Sequence, residues 1–116
     1  MSKDILDIEE LLERVQDDKE LMLELFDIYL EDYVGKRVAL EQACKSSNFE
    51  EIKSIGHSLK GASGNISAKS VREICMTFED MGKNELLTGW ENLIADLDKQ
   101  IELLKEQIAQ VKAQNS

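Results

Sequence analysis

The stretch LDKQIELLKEQIAQV, residues 97–111, carries apolar side chains at Leu97, Ile101, Leu104, Ile108 and Val111. Steps of four, three, four and three place all five on one side of a helix, the seam of a helix lying along a parallel or antiparallel neighbour. Such a seam cannot bury itself. The chain must therefore supply partner helices of comparable length, and the search for them runs back towards the N-terminus.

Trp90 and Leu93/Ile94 extend the seam upstream, and Thr88-Gly89-Trp90-Glu91 fits a Thr-x-x-Glu capping box, so this helix is expected over about 88–112. The tail AQVKAQNS is expected to fray. Val71, Ile74, Cys75, Phe78 and Met81 form the inner side of a helix over about 67–82, with Ser67 as its cap and Gly82 as its terminator. Phe49, Ile52, Ile55, Leu59, Ala62 and Ile66 mark one over about 48–65, opened by Asn48 with Glu51 three residues on. Leu23, Phe26, Leu30, Val34, Arg37/Val38 and Leu40/Glu41 mark a long one over about 18–45, with Gly35 its weak point. DIEELLERV suggests a short first helix over about 5–15. The fold expected is all-α: an up-and-down antiparallel four-helix bundle preceded by a short N-terminal helix, one domain over residues 1–116.

Composition agrees and excludes several functions. There is no proline, and leucine, isoleucine, glutamate and lysine dominate, which favours helix. A net charge of −10 repels nucleic-acid phosphates. The opening MSKDILDIEE has no basic start followed by an apolar block, and no apolar run nears the roughly 20 residues of a membrane span. A cytoplasmic protein without nucleic-acid or membrane partners is expected. Cys44 and Cys75 have no metal-binding spacing and read as small buried thiols. No metal site is expected, because the E-x-x-H pattern of di-iron bundles fails at Ser54, and no P-loop is present.

One segment departs from the rest. IGHSLKGASGNIS, residues 55–67, contains Gly56, Gly61 and Gly64 around His57, the single histidine. With Ile52 at zero and about 100° per residue, the apolar stripe falls near 280–340° and His57 near 140°. Around it lie Lys60 near 80°, Lys53 near 100°, Gly64 near 120° and Gly61 near 180°, each about one step of the wheel away or less. His57 thus points away from the core. Between Lys45 and Arg72 five basic and two acidic residues give +3, leaving −13 for the remainder of the −10 chain. An exposed imidazole beside a lysine, on ground cleared by glycines that each cost a helix about 1 kcal/mol, suits phosphoryl chemistry. The plainer alternative is a surface histidine with Gly61 ending the helix.

HSLKGASGNI resembles the signature of histidine-containing phosphotransfer (HPt) domains, H-x-x-K-G followed by small residues. His57, Lys60 and Gly61 match it, Gly64 and Asn65 continue it, and the similarity of plan spans roughly residues 18–108. Ser67 and Gly56 stand where the family often has glycine and alanine. The resemblance implies a phosphorelay intermediate that accepts a phosphoryl group on His57 from a receiver-domain aspartate and passes it to another receiver. It implies that Lys60 stabilises charge and that Glu79, 22 positions after His57, orients the ring. Docking would use Lys53, Ser54, Ser58, Gly61, Gly64, Arg72 and Met76. The expected partners are response-regulator receivers or a hybrid sensor histidine kinase. The chain is expected to be a monomer without a cofactor or kinase activity of its own, with Mg²⁺ on the receiver. Two other readings remain: a structural helical adaptor or dimerisation module built on the last helix, and the phosphate-accepting domain of a chemotaxis-type kinase.

Overall fold

The computed structural model describes residues 5–114 and contains five helices: α1 Ile8–Arg14, α2 Lys19–Lys45, α3 Phe49–Asn65, α4 Lys69–Asn84 and α5 Trp90–Gln114. Cross-contacts give the topology. Tyr29 meets Ser63, Ser70 meets Gln100, and Arg37 and Asp27 meet Asp98 and Lys112. Neighbouring long helices therefore run antiparallel, in an up-and-down bundle with a short helix in front. The 43 Å long axis matches α2, whose 27 residues at about 1.5 Å each span about 40 Å. No helix among the described residues is long and apolar enough to cross a membrane.

Local chemistry sets most helix starts. The side chains of Asp7, Asp18 and Asn48 accept from the backbone N–H groups of Glu10, Leu21 and Glu51, satisfying donors that a helix leaves open. Other boundaries differ from the sequence reading. Ser67 does not cap α4. It takes a left-handed backbone (φ 58°), its hydroxyl donates to Glu10 at 2.8 Å, and Ala68 precedes the helix without a side-chain cap. Gly82 does not end α4; Glu85 does, at φ 55°. The Thr88 box gives way to Gly89 at φ +81°, with α5 starting at Trp90. The helix then continues through Gln114 with Val111 buried, so residues 109–114 of the tail are helical; 115–116 lie outside the described residues. Ile5 and Leu6 precede α1, where Leu6 forms an antiparallel bridge with Ala68.

Leu97, Ile101, Leu104, Ile108 and Val111 are all buried, and the core assembles on this seam. The inner face of α2 differs from the stripe expected. Met22, Phe26, Tyr29, Tyr33, Leu40, Ala43 and Cys44 are buried, whereas Val34 and Val38 are 63% and 57% exposed. Two phenol rings offer far more area than two valines, roughly 150–250 Å² each, so the tyrosine register prevails. The Tyr29 hydroxyl bonds Ser63 Oγ at 2.8 Å, and the Tyr29 and Tyr33 rings stack at 6.1 Å. The Tyr33 hydroxyl is buried without a protein partner. Tyr33→Phe should therefore leave stability unchanged or raise it by up to about 1 kcal/mol, whereas Tyr29→Phe, which removes the buried bond to Ser63, should cost about 1–2 kcal/mol. Urea unfolding of both variants checks this, and equal losses would contradict it.

Candidate functional site

The site lies where α3 and α4 cross at close range. Buried positions on α3 are Ile52, Gly56, Leu59 and Ser63, with Ile55 and Ala62 only partly covered. The core face is thus turned towards Gly56 and Ser63 relative to the expected stripe, because α4 packs on these small residues. His57 remains outside it, its side chain 69% exposed.

Glu79 of α4 joins the site together. Its Oε2 lies 2.8 Å from His57 Nδ1 and its Oε1 lies 2.6 Å from Lys60 Nζ. The Glu79 side chain is only 17% exposed and that of Lys60 23%, so both are much less open to water than the His57 side chain at 69%. Lys60 is therefore not a freely mobile cation here. An ionised carboxylate can only accept, so Nδ1 carries the proton on a neutral ring, and the lone pair is left on Nε2.

The two glycines after His57 differ. A Cβ on Gly61 would meet nothing within 4 Å, so the ground there is open. Gly64 is not bare: a Cβ on it would touch Arg72 Cδ at 3.4 Å and Nε at 3.5 Å. Arg72 and Met76 are exposed and precede Glu79 at helical spacing, on the flank of α4 that meets Gly64 and His57. Lys53 and Ser54 are exposed one turn before His57, and Ser58 is half-buried.

Three contributions were not legible in the sequence reading. Gly56 faces the α4 backbone at Glu79. Ser63 anchors Tyr29 beneath the site. Arg14 of α1 donates from Nη1 to the Gly64 carbonyl at 2.9 Å, adding a second bond to an acceptor at the end of the histidine helix that also takes the Ser67 N–H. The glycine beside the histidine was a visible signal for the first; the other two depend on residues 34 and 50 positions apart.

The Lys60 ammonium, with help from His57 and against partial burial, holds the Glu79 carboxyl below its ordinary 4.5. Asp7, bonded by the Glu10 N–H and Lys69, is likewise depressed, as are Glu10 by Lys69 and Ser67 and Glu41 by Arg37 and Lys45. Folded-state values below unfolded ones contribute stability that is fully present above the ordinary carboxylate range and lost as pH falls through the lowered values. The melting temperature should be flat from about pH 8 to 5 and drop below about 4.5. A decline beginning near neutrality would contradict this assignment. Burial pushes the Cys44 and Cys75 thiols up to about 11 and about 12, so neither is a nucleophile at neutral pH. Among the described residues no three His, Cys, Asp or Glu side chains converge as metal ligands.

A family model described as the Hpt domain matches residues 1–114. No curated protein matches the sequence. Among solved structures the chain is similar to the crystal structure of histidine-containing phosphotransfer protein B (HptB) from Pseudomonas aeruginosa PAO1. The TM-score is 0.87 at 19% identity, over 97% of this chain and 98% of that one, a likeness of fold.

Proposed function

The chain belongs to the Hpt domain family, whose role is histidine phosphotransfer in phosphorelays, and from that premise we propose that His57 is its phosphoryl acceptor. The observation that carries this is the outward-facing imidazole whose Nδ1 is held by Glu79, leaving Nε2 as the available nucleophile.

The Nε2 lone pair attacks the phosphorus of an aspartyl phosphate on a receiver domain. As the N–P bond forms, the P–O bond to the aspartate breaks and the carboxylate leaves with its electron pair. The ring gains positive charge while retaining the Nδ1 proton, and the Glu79 carboxylate offsets that charge. Glu79 would by itself repel the incoming phosphoryl oxygens. Lys60 neutralises it and lies one helical turn from His57, within reach of the transferred group. The reverse sequence delivers the group to a second receiver, and Mg²⁺ is assigned to the receiver.

The receiver docks on the face bearing Lys53, Ser54, Ser58, Gly61, Gly64, Arg72 and Met76. Gly61 admits a partner loop, and Lys53 and Arg72 carry the positive charge of the segment. The test is incubation with a panel of phosphorylated receivers, then mapping of the label. An alkali-stable, acid-labile phosphate on His57 is expected; label on any other residue, or none from any receiver, sinks the proposal. An ATP-charged kinase that labels His57 when no phosphorylated receiver does would instead favour the chemotaxis-type reading.

A further inference from the structure

We propose that Gly56 is a positioning residue for the phosphotransfer site. Lacking a Cβ, it lets α4 settle against α3 at Glu79, and this contact holds the carboxylate on both His57 and Lys60. The inference rests on the reading of His57 as the acceptor and concerns how its ring is oriented.

Gly56 lies buried inside α3 without a positive φ, so conformational freedom does not explain it. A mid-helix glycine costs about 1 kcal/mol relative to alanine, a loss that close packing must offset. A Cβ built on Gly56 falls 2.6 Å from Glu79 N, 3.0 Å from Glu79 Cα and 3.1 Å from Cys75 O. All three are backbone atoms of α4, not the ends of flexible side chains. Ordinary contacts of this kind are 3.4–4 Å, so at the α3–α4 spacing of this chain alanine, which the family often has at this position, would push α4 back by roughly 1 Å at Glu79. A hydrogen bond of 2.8 Å between His57 and Glu79 has no slack of that size, because its strength falls steeply beyond about 3.2 Å.

A second glycine secures the same segment from the other helix. A Cβ on Gly82, three residues after Glu79, would collide with Phe49 O at 2.6 Å and with the backbone N of Lys53. The turn of α4 carrying Glu79 is thus pinned on α3 at two points, at Glu79 against Gly56 and at Gly82 against Phe49 and Lys53. Gly61, with nothing within 4 Å, belongs to the docking face and not to this pin.

The test compares Gly56→Ala with the wild-type chain by ¹⁵N NMR of the imidazole and by the rate of phosphoryl uptake. Wild type is expected to hold the proton on Nδ1. Gly56→Ala should give a mixed tautomer and uptake slower by about tenfold, yet alter the rate less than about twofold when added to Glu79→Ala. Leu104→Ala, which opens the core on α5, a helix that supplies none of the site's side chains, should lower the melting temperature but leave tautomer and rate unchanged. A wild-type tautomer and rate in Gly56→Ala, or the same changes in Leu104→Ala, would overturn the inference. If Gly56→Ala does not fold, Glu79→Asp decides, because it withdraws the carboxylate without a clash. A mixed tautomer supports the proposal, and an unchanged one overturns it. The NMR readout needs no phosphotransfer, so failure of wild-type uptake would sink the proposed function separately.

Discussion

His57→Gln should keep the helical bundle and take up no phosphoryl group from a receiver that labels the wild-type chain. The imidazole is 69% exposed and its one hydrogen bond is to Glu79, which a glutamine amide can still donate to. The core makes no use of the ring, so stability should change by less than about 0.5 kcal/mol. Reactivity behaves differently. An amide nitrogen has its lone pair delocalised and cannot displace a carboxylate from phosphorus, so the loss should reach the detection limit. Paired thermal melts and transfer assays separate the two effects. Retained uptake by a folded variant would place the acceptor elsewhere.

The second large effect belongs to Glu79. Glu79→Ala should slow uptake by about 10- to 100-fold while leaving His57 in place, the range expected for a group that orients a reacting imidazole. Two losses coincide: the Nδ1 proton is no longer held, and the positive charge developing on the ring is no longer offset. Glu79→Gln separates them, since its amide oxygen still accepts from Nδ1 but carries no charge. It should fall between wild type and Glu79→Ala, and its deficit measures the electrostatic part. Lys60 is informative in the same background. If its ammonium acts chiefly by neutralising Glu79, Lys60→Ala should matter much less once Glu79 is glutamine. Rates for Glu79→Ala equal to wild type would remove Glu79 from the mechanism.

The fold was legible because its decisive signals are local. The period of residues 97–111 places five apolar side chains on one line, and all five are buried. The oxygen of Asn48 can reach the N–H of Glu51 because three residues form almost one helical turn, and it does so at 3.2 Å. The wheel also put His57 outside the core face, where the structure finds it. Where periodicity offered two answers it misled. On α2, Val34 and Val38 continue the three-and-four stepping as well as Tyr29 and Tyr33 do, yet only the tyrosines are buried, Tyr29 with its hydroxyl on Ser63. At the α3–α4 joint, Ser67 has the chemistry of a cap, but a distant Glu10 takes its hydroxyl.

The sequence by itself determined a helical bundle, its approximate helix lengths, and a single histidine facing outward in a positively charged segment, because each follows from spacing and charge within one helix or its ends. Only the tertiary structure decided that Lys60 and His57 share one carboxylate, that Arg72 lies over Gly64 while Gly61 stays open, and that Gly56 and Gly82 set the approach of α4. These depend on how closely two helices meet and at what rotation. That distance is set by the joint packing of side chains from every helix, which no single stretch of chain encodes.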